Sequence, residues 1–334
     1  MALPDSQKKG NGCGGWFFGL LVVLAGWMVF TWYSEGQLYA DANQAMSSSD
    51  CETANSFFIK IINGYRLIDP DGVYSASVKG KTLCDAYLVG VMAEREGNSS
   101  MAILNFYEFI KNYERNVLTD FSKENIALIF TMRTPEQLAD EALCSELDTL
   151  ANGGYLPSAT TTLPSMYYAC GRSAATMAEY AIAINWFDRF ITKYPSHTLR
   201  AVVEDELART LLRYAQSEGG SLPAPQQSGS TNSGASKVII QNDSPEKLRI
   251  VFSGADTRIE VLDACPSCQT YSLAGPQFCP EKGPIGEYTM PPGTYQVAVQ
   301  AMDDSAVTPW SGSWPLGNAE EYYSCFFITT TSYP

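Results

Sequence analysis

The hydrophobic pattern of the chain changes character twice. From Trp16 to Tyr33 it has no period: WFFGLLVVLAGWMVFTWY is eighteen residues without a charge, an Asn, a Gln or a Pro. A helix rises ~1.5 Å per residue, so such a run approaches the ~30 Å of a bilayer core. Trp16, Trp27, Trp32 and Tyr33 lie towards its ends, where amphipathic rings favour the headgroup zone. This predicts a transmembrane helix over 16–33. From Glu35 to Ser217 apolar residues recur three or four apart and Gly and Pro are sparse, which predicts an all-α region of amphipathic helices. From Lys237 onward the period is two. Ile259 and Val261 alternate with Arg258 and Glu260, and Tyr295, Val297 and Val299 alternate with Gln296, Ala298 and Gln300. Short strands broken by turn signals such as Pro292-Gly293 predict an all-β antiparallel sandwich over 237–334. Between the periodic regions, residues 218–236 read EGGSLPAPQQSGSTNSGAS, with no aromatic or β-branched aliphatic residue. That composition predicts a flexible linker with a root-mean-square span of about 25 Å.

Charge gives the apolar run a direction. Lys8 and Lys9 precede it, and no Lys or Arg follows until Lys60. By the positive-inside rule residues 1–15 form a cytoplasmic tail, and the bulk of the chain is extracytoplasmic, periplasmic or at the cell surface. A cleaved leader is the alternative, since Ala40-Asp41-Ala42 offers small residues at the right offsets. The apolar run is longer than the roughly 7–15 residues of a leader core, which favours the single-pass anchor. The net charge of −14 argues against nucleic acid and against anionic lipid surfaces as partners. Of nine cysteines, eight follow the apolar run and split four and four: Cys51, Cys84, Cys144 and Cys170, then Cys265, Cys268, Cys279 and Cys325. An even count outside the cytosol predicts disulfides.

Three segments of the helical region align without gaps: ANSFFIKIINGYR from Ala54, AILNFYEFIKNYE from Ala102 and AINWFDRFITKYP from Ala183. They share Ala54, Ala102 and Ala183, then Phe58, Phe106 and Phe187, then Ile61, Phe109 and Phe190, and end on Tyr65, Tyr113 and Tyr194. Twelve residues before each alanine stands a small residue: Ala42, Gly90 and Gly171. This repeat of helical hairpins resembles the tetratricopeptide repeat (TPR) family, and IAINWFDRFITKYPSH looks most like the repeats of bacterial envelope proteins of that fold. The copies depart from the family in their irregular spacing and in Arg66 and Glu114 where a proline is usual. The resemblance implies about four hairpins, a closing helix over 199–215, and a groove that holds a protein partner. Inward positions by that resemblance include Tyr87, Glu94, Arg95, Tyr168 and Arg172. In such a stack each helix B meets the next helix A, which implies the bonds Cys51–Cys84 and Cys144–Cys170. A capping box is expected at Ser49 and Glu52. In the C-terminal region, MPPGTYQVAVQA is weakly similar to the strand entry of PEGA-type surface modules.

Cys265-Pro-Ser-Cys268 is the sharpest chemical motif. A redox pair of that spacing normally opens a helix after a strand, and here strand-like segments flank it. A second tight pair for zinc is missing, so structural disulfides are the better reading. Of three possible pairings, Cys265–Cys325 between strands with Cys268–Cys279 closing the loop is adopted. His197 is the single histidine, which excludes multi-histidine metal sites. The chain carries no P-loop and no dinucleotide fingerprint, and neither a catalytic site nor a cofactor is expected. Trp310, Trp314, Tyr322 and Tyr323 are either a sugar-binding face or sandwich core. The expected function is a non-enzymatic, membrane-anchored scaffold whose repeats bind a protein. The alternatives are a cell-surface or cell-wall glycan-binding protein with the repeats as stalk and, more remotely, a thiol oxidoreductase at Cys265 and Cys268.

Overall fold

A computed structural model describes residues 14–64, 69, 71–272, 275–302, 304 and 306–330, with only the backbone described for 14–21. Lys8, Lys9 and Cys13, most of the expected cytoplasmic tail, and Tyr65 and Arg66 of the first repeat copy lie outside the described residues. The chain folds into ten helices and then eleven strands among the described residues, in two compact units. One unit comprises residues up to 134 together with 148–157; the other comprises 135–147 and everything from 158 onward.

The first unit contains α1 (Gly14–Ser47), α2 (Cys51–Ile62), α3 (Val73–Arg95), α4 (Ser99–Asn112) and α5 (Val117–Met132). Each packs on its predecessor, and α1 also meets α3 and α5. Three residues separate α3 from α4, so the two must run antiparallel to touch. The transmembrane expectation is corrected here: among the described residues no helix is long and apolar enough to cross a membrane. From Ser34 to its end α1 turns polar, with Glu35, Gln37, Asp41, Asn43 and Gln44. The cap of α2 is also not the expected one. Asp50 accepts from the Thr53 backbone N–H at 3.0 Å, and Ser49 sits one residue earlier at φ 59°.

The second unit starts with α6 (Pro135–Leu138) and the first part of α7 (Glu141–Asn152), then has α8 (Ala159–Thr176), α9 (Tyr180–Lys193) and α10 (Arg200–Glu218). All the strands follow: β1 (Gly220–Ser221), β2 (Gln226–Ser230), β3 (Ser236–Asn242), β4 (Leu248–Ser253), β5 (Arg258–Leu262), β6 (Tyr271–Ser272), β7 (Ile285–Met290), β8 (Gly293–Ala301), β9 (Trp310–Leu316), β10 (Glu320–Phe326) and β11 (Thr329–Thr330). The first sheet has the order β1-β9-β8-β4-β5, the second β2-β10-β3-β7, and β6 pairs with β11. The sheets are mixed, which corrects the antiparallel sandwich: β3 runs parallel to β10, β1 to β9 and β6 to β11. Alternation locates a strand and its buried face, but a parallel partner 84 residues away leaves no local mark.

Phe252, Tyr295, Val297 and Trp314 of the first sheet share one buried cluster with Val238, Ile240, Tyr288 and Met290 of the second. The opposite face of the first sheet is buried as well. Val251 and Ala298 are 1% and 3% exposed, and α10 packs against β4, β5, β8 and β9. Residues 218–236 are accordingly not a free tether. The end of α10, β1 and the exposed strand β2 occupy them, and Leu222 is buried with its N–H bonded to Ser311 O at 2.7 Å. Gly and Ser there serve close approach: a Cβ on Gly220 would lie 2.7 Å from Pro309 O.

An ion pair joins the helices to the sheet within this unit. Arg249 of β4 meets Asp188 of α9 at 2.8 Å, with the arginine side chain 9% and the aspartate 35% exposed. Burial raises the Asp188 pKa, and the attraction of Arg249 only partly offsets it. A carboxyl whose folded pKa is raised binds protons more readily when folded, so its contribution to stability grows as pH falls through that pKa. The gain is complete only below the ordinary value of 3.8. D188N is neutral at every pH. Wild type should therefore gain stability relative to D188N on going from neutral pH to 3.8, read as the difference between their urea midpoints. A difference that shrinks over that range would show that Arg249 outweighs burial.

The hairpins rest on one repeated contact. Gly90 of α3 faces the Phe106 ring of α4, and Gly171 of α8 faces the Phe187 ring of α9; an added Cβ would lie 2.7 and 2.4 Å from ring carbons. Gly80 meets Phe58 in the same way across α3 and α2, at 2.4 Å. All three phenylalanines are at most 2% exposed. G90A and G171A should each destabilise the fold by about 1–3 kcal/mol through overpacking, measurable by chemical denaturation, although alanine is the better helix former.

Candidate functional site

The five residues expected to line a partner groove divide between the two units. Tyr87, Glu94 and Arg95 belong to the first unit, and Tyr168 and Arg172 to the second. Tyr87 is 3% exposed, its ring packs on Phe106 and Phe109 at 5.5 and 6.0 Å, and its hydroxyl accepts from Asn125 at 2.9 Å. Burial raises its pKa, the signature of a core residue. Glu94 is ion-paired to Arg133, and Arg95 to Glu52. In the second unit the Arg172 guanidinium lies over the Tyr168 ring at 5.7 Å. The exposed apolar positions of α3 are different ones: Val78, Val89 and Met92, at 39%, 52% and 52%. Their spacings of 11 and 3 residues are close to whole turns, so they share one face, with the Lys81–Asp85 ion pair between them. The signal for that stripe was present in the sequence, but a resemblance-based choice of inward positions hid it.

The aromatics considered for a sugar face also separate. Trp314 is fully buried, with its indole N–H donating to Pro223 O at 2.9 Å, and Tyr322 is 7% exposed. Tyr323 donates to Gln241 at 2.7 Å, and Trp310 alone is largely exposed, at 47%. His197 stacks edge-on against Phe190 at 5.6 Å, and its Nδ1 accepts from the Leu199 N–H.

All eight described cysteines are joined in pairs. Cys51–Cys84 links α2 to α3 and Cys144–Cys170 links α7 to α8, the pairs that the repeat register implies. The C-terminal four pair differently from the adopted reading: Cys265 with Cys268, and Cys279 with Cys325. The strand partner of Cys325 is Gln241, not a residue near Cys265, because β10 runs beside β3. The two bonds differ in what they constrain. In the chain-entropy model a 46-residue separation is worth about 4 kcal/mol, and a separation of three about 2.

Both bonds converge on a residue that the sequence did not single out. Asp243 follows β3 and is fully buried. Its carboxylate accepts three successive backbone N–H groups, from Glu281 at 2.6 Å, Lys282 at 2.9 Å and Gly283. Such a nest of amides is an anion cradle. The loop reaches it because Glu281 adopts φ 55° and Gly283 presses on Asn242 O, where a Cβ would lie at 1.7 Å. Sulfur surrounds the other sides. Cys279 Sγ lies 3.1 Å and Cys325 Sγ 3.8 Å from Oδ2, and Cys268 Sγ lies 3.9 Å from Oδ1. The Tyr323 hydroxyl, which donates to Gln241, lies 3.1 Å from Cys279 Sγ, and the charges of Glu281 and Asp243 add to burial in raising the tyrosine pKa. Beside it, Asn242 is buried and bonds Glu246 O, Asp263 O and the Ser244 hydroxyl. In the sequence, Asn242-Asp243-Ser244 reads as an ordinary turn; only the tertiary fold brings the carboxylate to four cysteines.

No protein-family model matches the chain, and no curated protein or solved structure is significantly similar to it.

Three buried amides depend on one carboxylate. D243A should destabilise the second unit by about 3 kcal/mol or more, because each orphaned donor costs about 1–3 kcal/mol. D243N keeps an acceptor oxygen and should cost less; thermal unfolding of the three proteins checks the order.

Proposed function

We propose that the chain is a scaffold that binds a protein partner through its first helical unit, in a compartment that keeps thiols oxidised. The observation that carries this reading is the exposed apolar face of α3. Val78, Val89 and Met92 form a stripe, with a charged pair between them, on a helix whose other faces are packed. Surface helices ordinarily place polar residues on that side. Methionine at the end of the stripe suits a face that adapts to a partner's shape. The recurring small-residue and phenylalanine contact supports a TPR-like hairpin repeat, an architecture that presents helix faces in series. Four disulfides support an oxidising location, because such bonds rarely persist in the cytosol.

A photo-crosslinking residue placed at Val89 should give discrete protein adducts in cells. The same residue at exposed Glu114 of the same unit should not, and M92E should remove the adducts without changing the circular dichroism. Identical adducts at both positions, or adducts that survive M92E, would sink the α3 surface.

A further inference from the structure

We propose that Cys265–Cys268 is a thiol–disulfide exchange site, with Cys268 the sulfur that meets an incoming thiol and the Asp243 carboxylate fixed beside it. This goes beyond partner binding by α3 and does not rest on it. Three observations converge. The bond closes a ring across only three positions, so opening it releases little of the fold, whereas the other three bonds span 26, 33 and 46 residues. Its two sulfurs are unequally placed. Cys265 is 2% exposed, while Cys268 is half-buried at the end of a turn whose Pro266 and Ser267 are exposed. A thiol from solvent therefore reaches Cys268 and not Cys265. By contrast, Cys51 and Cys84 are 1% and 0% exposed, and Cys144 and Cys170 are 5% and 2%; Cys279 and Cys325 are half-buried like Cys268, and their 46-residue separation is what sets that bond apart. Finally, one atom each of Asp243, Cys265 and Cys268 lie within 4.8 Å of one another, and the carboxylate is held rigidly by three amides.

The substrate class is a pair of thiols, on one protein or on two small molecules. The first, as thiolate, attacks Cys268 Sγ. A mixed disulfide forms, the Cys265–Cys268 bond breaks, and its electron pair passes to Cys265 Sγ. Cys265 Sγ then takes up a proton, which balances the one lost by the attacking thiol. The second substrate thiol then attacks the substrate sulfur of the mixed disulfide, and Cys268 leaves and takes up a proton. Two substrate thiols become one disulfide, while two electrons and two protons end on Cys265 and Cys268. The reverse sequence reduces a substrate disulfide. Asp243 also biases the balance, because a fixed carboxylate beside the sulfurs opposes a thiolate there, and the turn joins two strands and opens no helix that would favour one.

The test is a titration of the full chain in mixtures of reduced and oxidised glutathione, with acid quenching, alkylation and peptide mapping. Cys265–Cys268 should open at a reduced-to-oxidised ratio at least about tenfold below that needed for the other three bonds, with circular dichroism unchanged. The glutathione adduct should sit on Cys268, and C265S, which cannot resolve it, should accumulate that adduct. D243N, read at a pH where the thiols are ionised, should lower the midpoint ratio of this pair by about tenfold, the equivalent of one pKa unit on one thiol; Cys279–Cys325, whose sulfurs lie as near the carboxylate, should shift with it, and Cys51–Cys84 and Cys144–Cys170 should not. Four bonds that open together, or an adduct on Cys265 or on neither cysteine, would overturn the site. An unchanged midpoint in folded D243N would remove Asp243 from it. The wild-type titration decides the proposal even where a variant fails to fold.

Discussion

Helix α10 has to be apolar on two sides, and the second unit depends on that requirement. Val203, Leu207, Ala208, Leu211, Leu212 and Ala215 are all buried. Part of this set meets α9, and part covers the face of the first sheet that carries Val251 and Ala298. A two-sided sheet is stable only if something covers each face, and the second sheet can cover only one. The helix thus completes the hairpin series and roofs the strands at once. Arg249, buried under that roof, finds its countercharge on α9 rather than on a neighbouring strand. Burial of Asp188 raises its pKa, so this pair acts more to fix how α9 meets β4 than to stabilise the fold.

The helical repeat was legible because its determinants are local. Phe58, Phe106 and Phe187 stand at the same offset from Ala54, Ala102 and Ala183, and every one of these six side chains is at most 2% exposed. The bonds Cys51–Cys84 and Cys144–Cys170 follow from neighbouring helices in chain order. Tyr87 was misread for an equally physical reason. A large residue on a helix face fits a groove or a core, and only the ring contacts with Phe106 and Phe109 decide between them. The strands were legible one at a time, but their partners were not. Once β10 lies parallel to β3, Cys325 is carried to Gln241 and to the neighbourhood of Cys279, and no spacing rule contains that step. The apolar run at 16–33 illustrates the limit of composition: as described, it is the first part of a longer helix that turns polar at Ser34.

Asp243 shows how a charge can be buried without a cation. Three amides from one loop, each a partial positive charge, replace the water that the carboxylate gives up. The arrangement needs a loop able to turn three consecutive N–H groups inward, which accounts for the left-handed Glu281 and for a glycine at 283. The same packing draws Cys268, Cys279 and Cys325 around the carboxylate. Chain segments from β3, β10, the turn after β5 and the loop before β7 are thereby fastened at a single point.

The roofing of the sheet by α10 also limits how this protein can be divided. By composition, residues 218–236 invite a cut, since they look like the seam between a helical protein and a separate β-module. A fragment that began at Lys237 would lose β1 and β2 from the sheet edges, Leu222 from the core and α10 from the face of β4 and β8. Val251, Ala298 and Arg249 would then face water. The strands are therefore not a transferable cassette. In the design of a truncation they belong with 135–147 and α8–α10, and the junction that sequence composition advertises is not where the molecule comes apart.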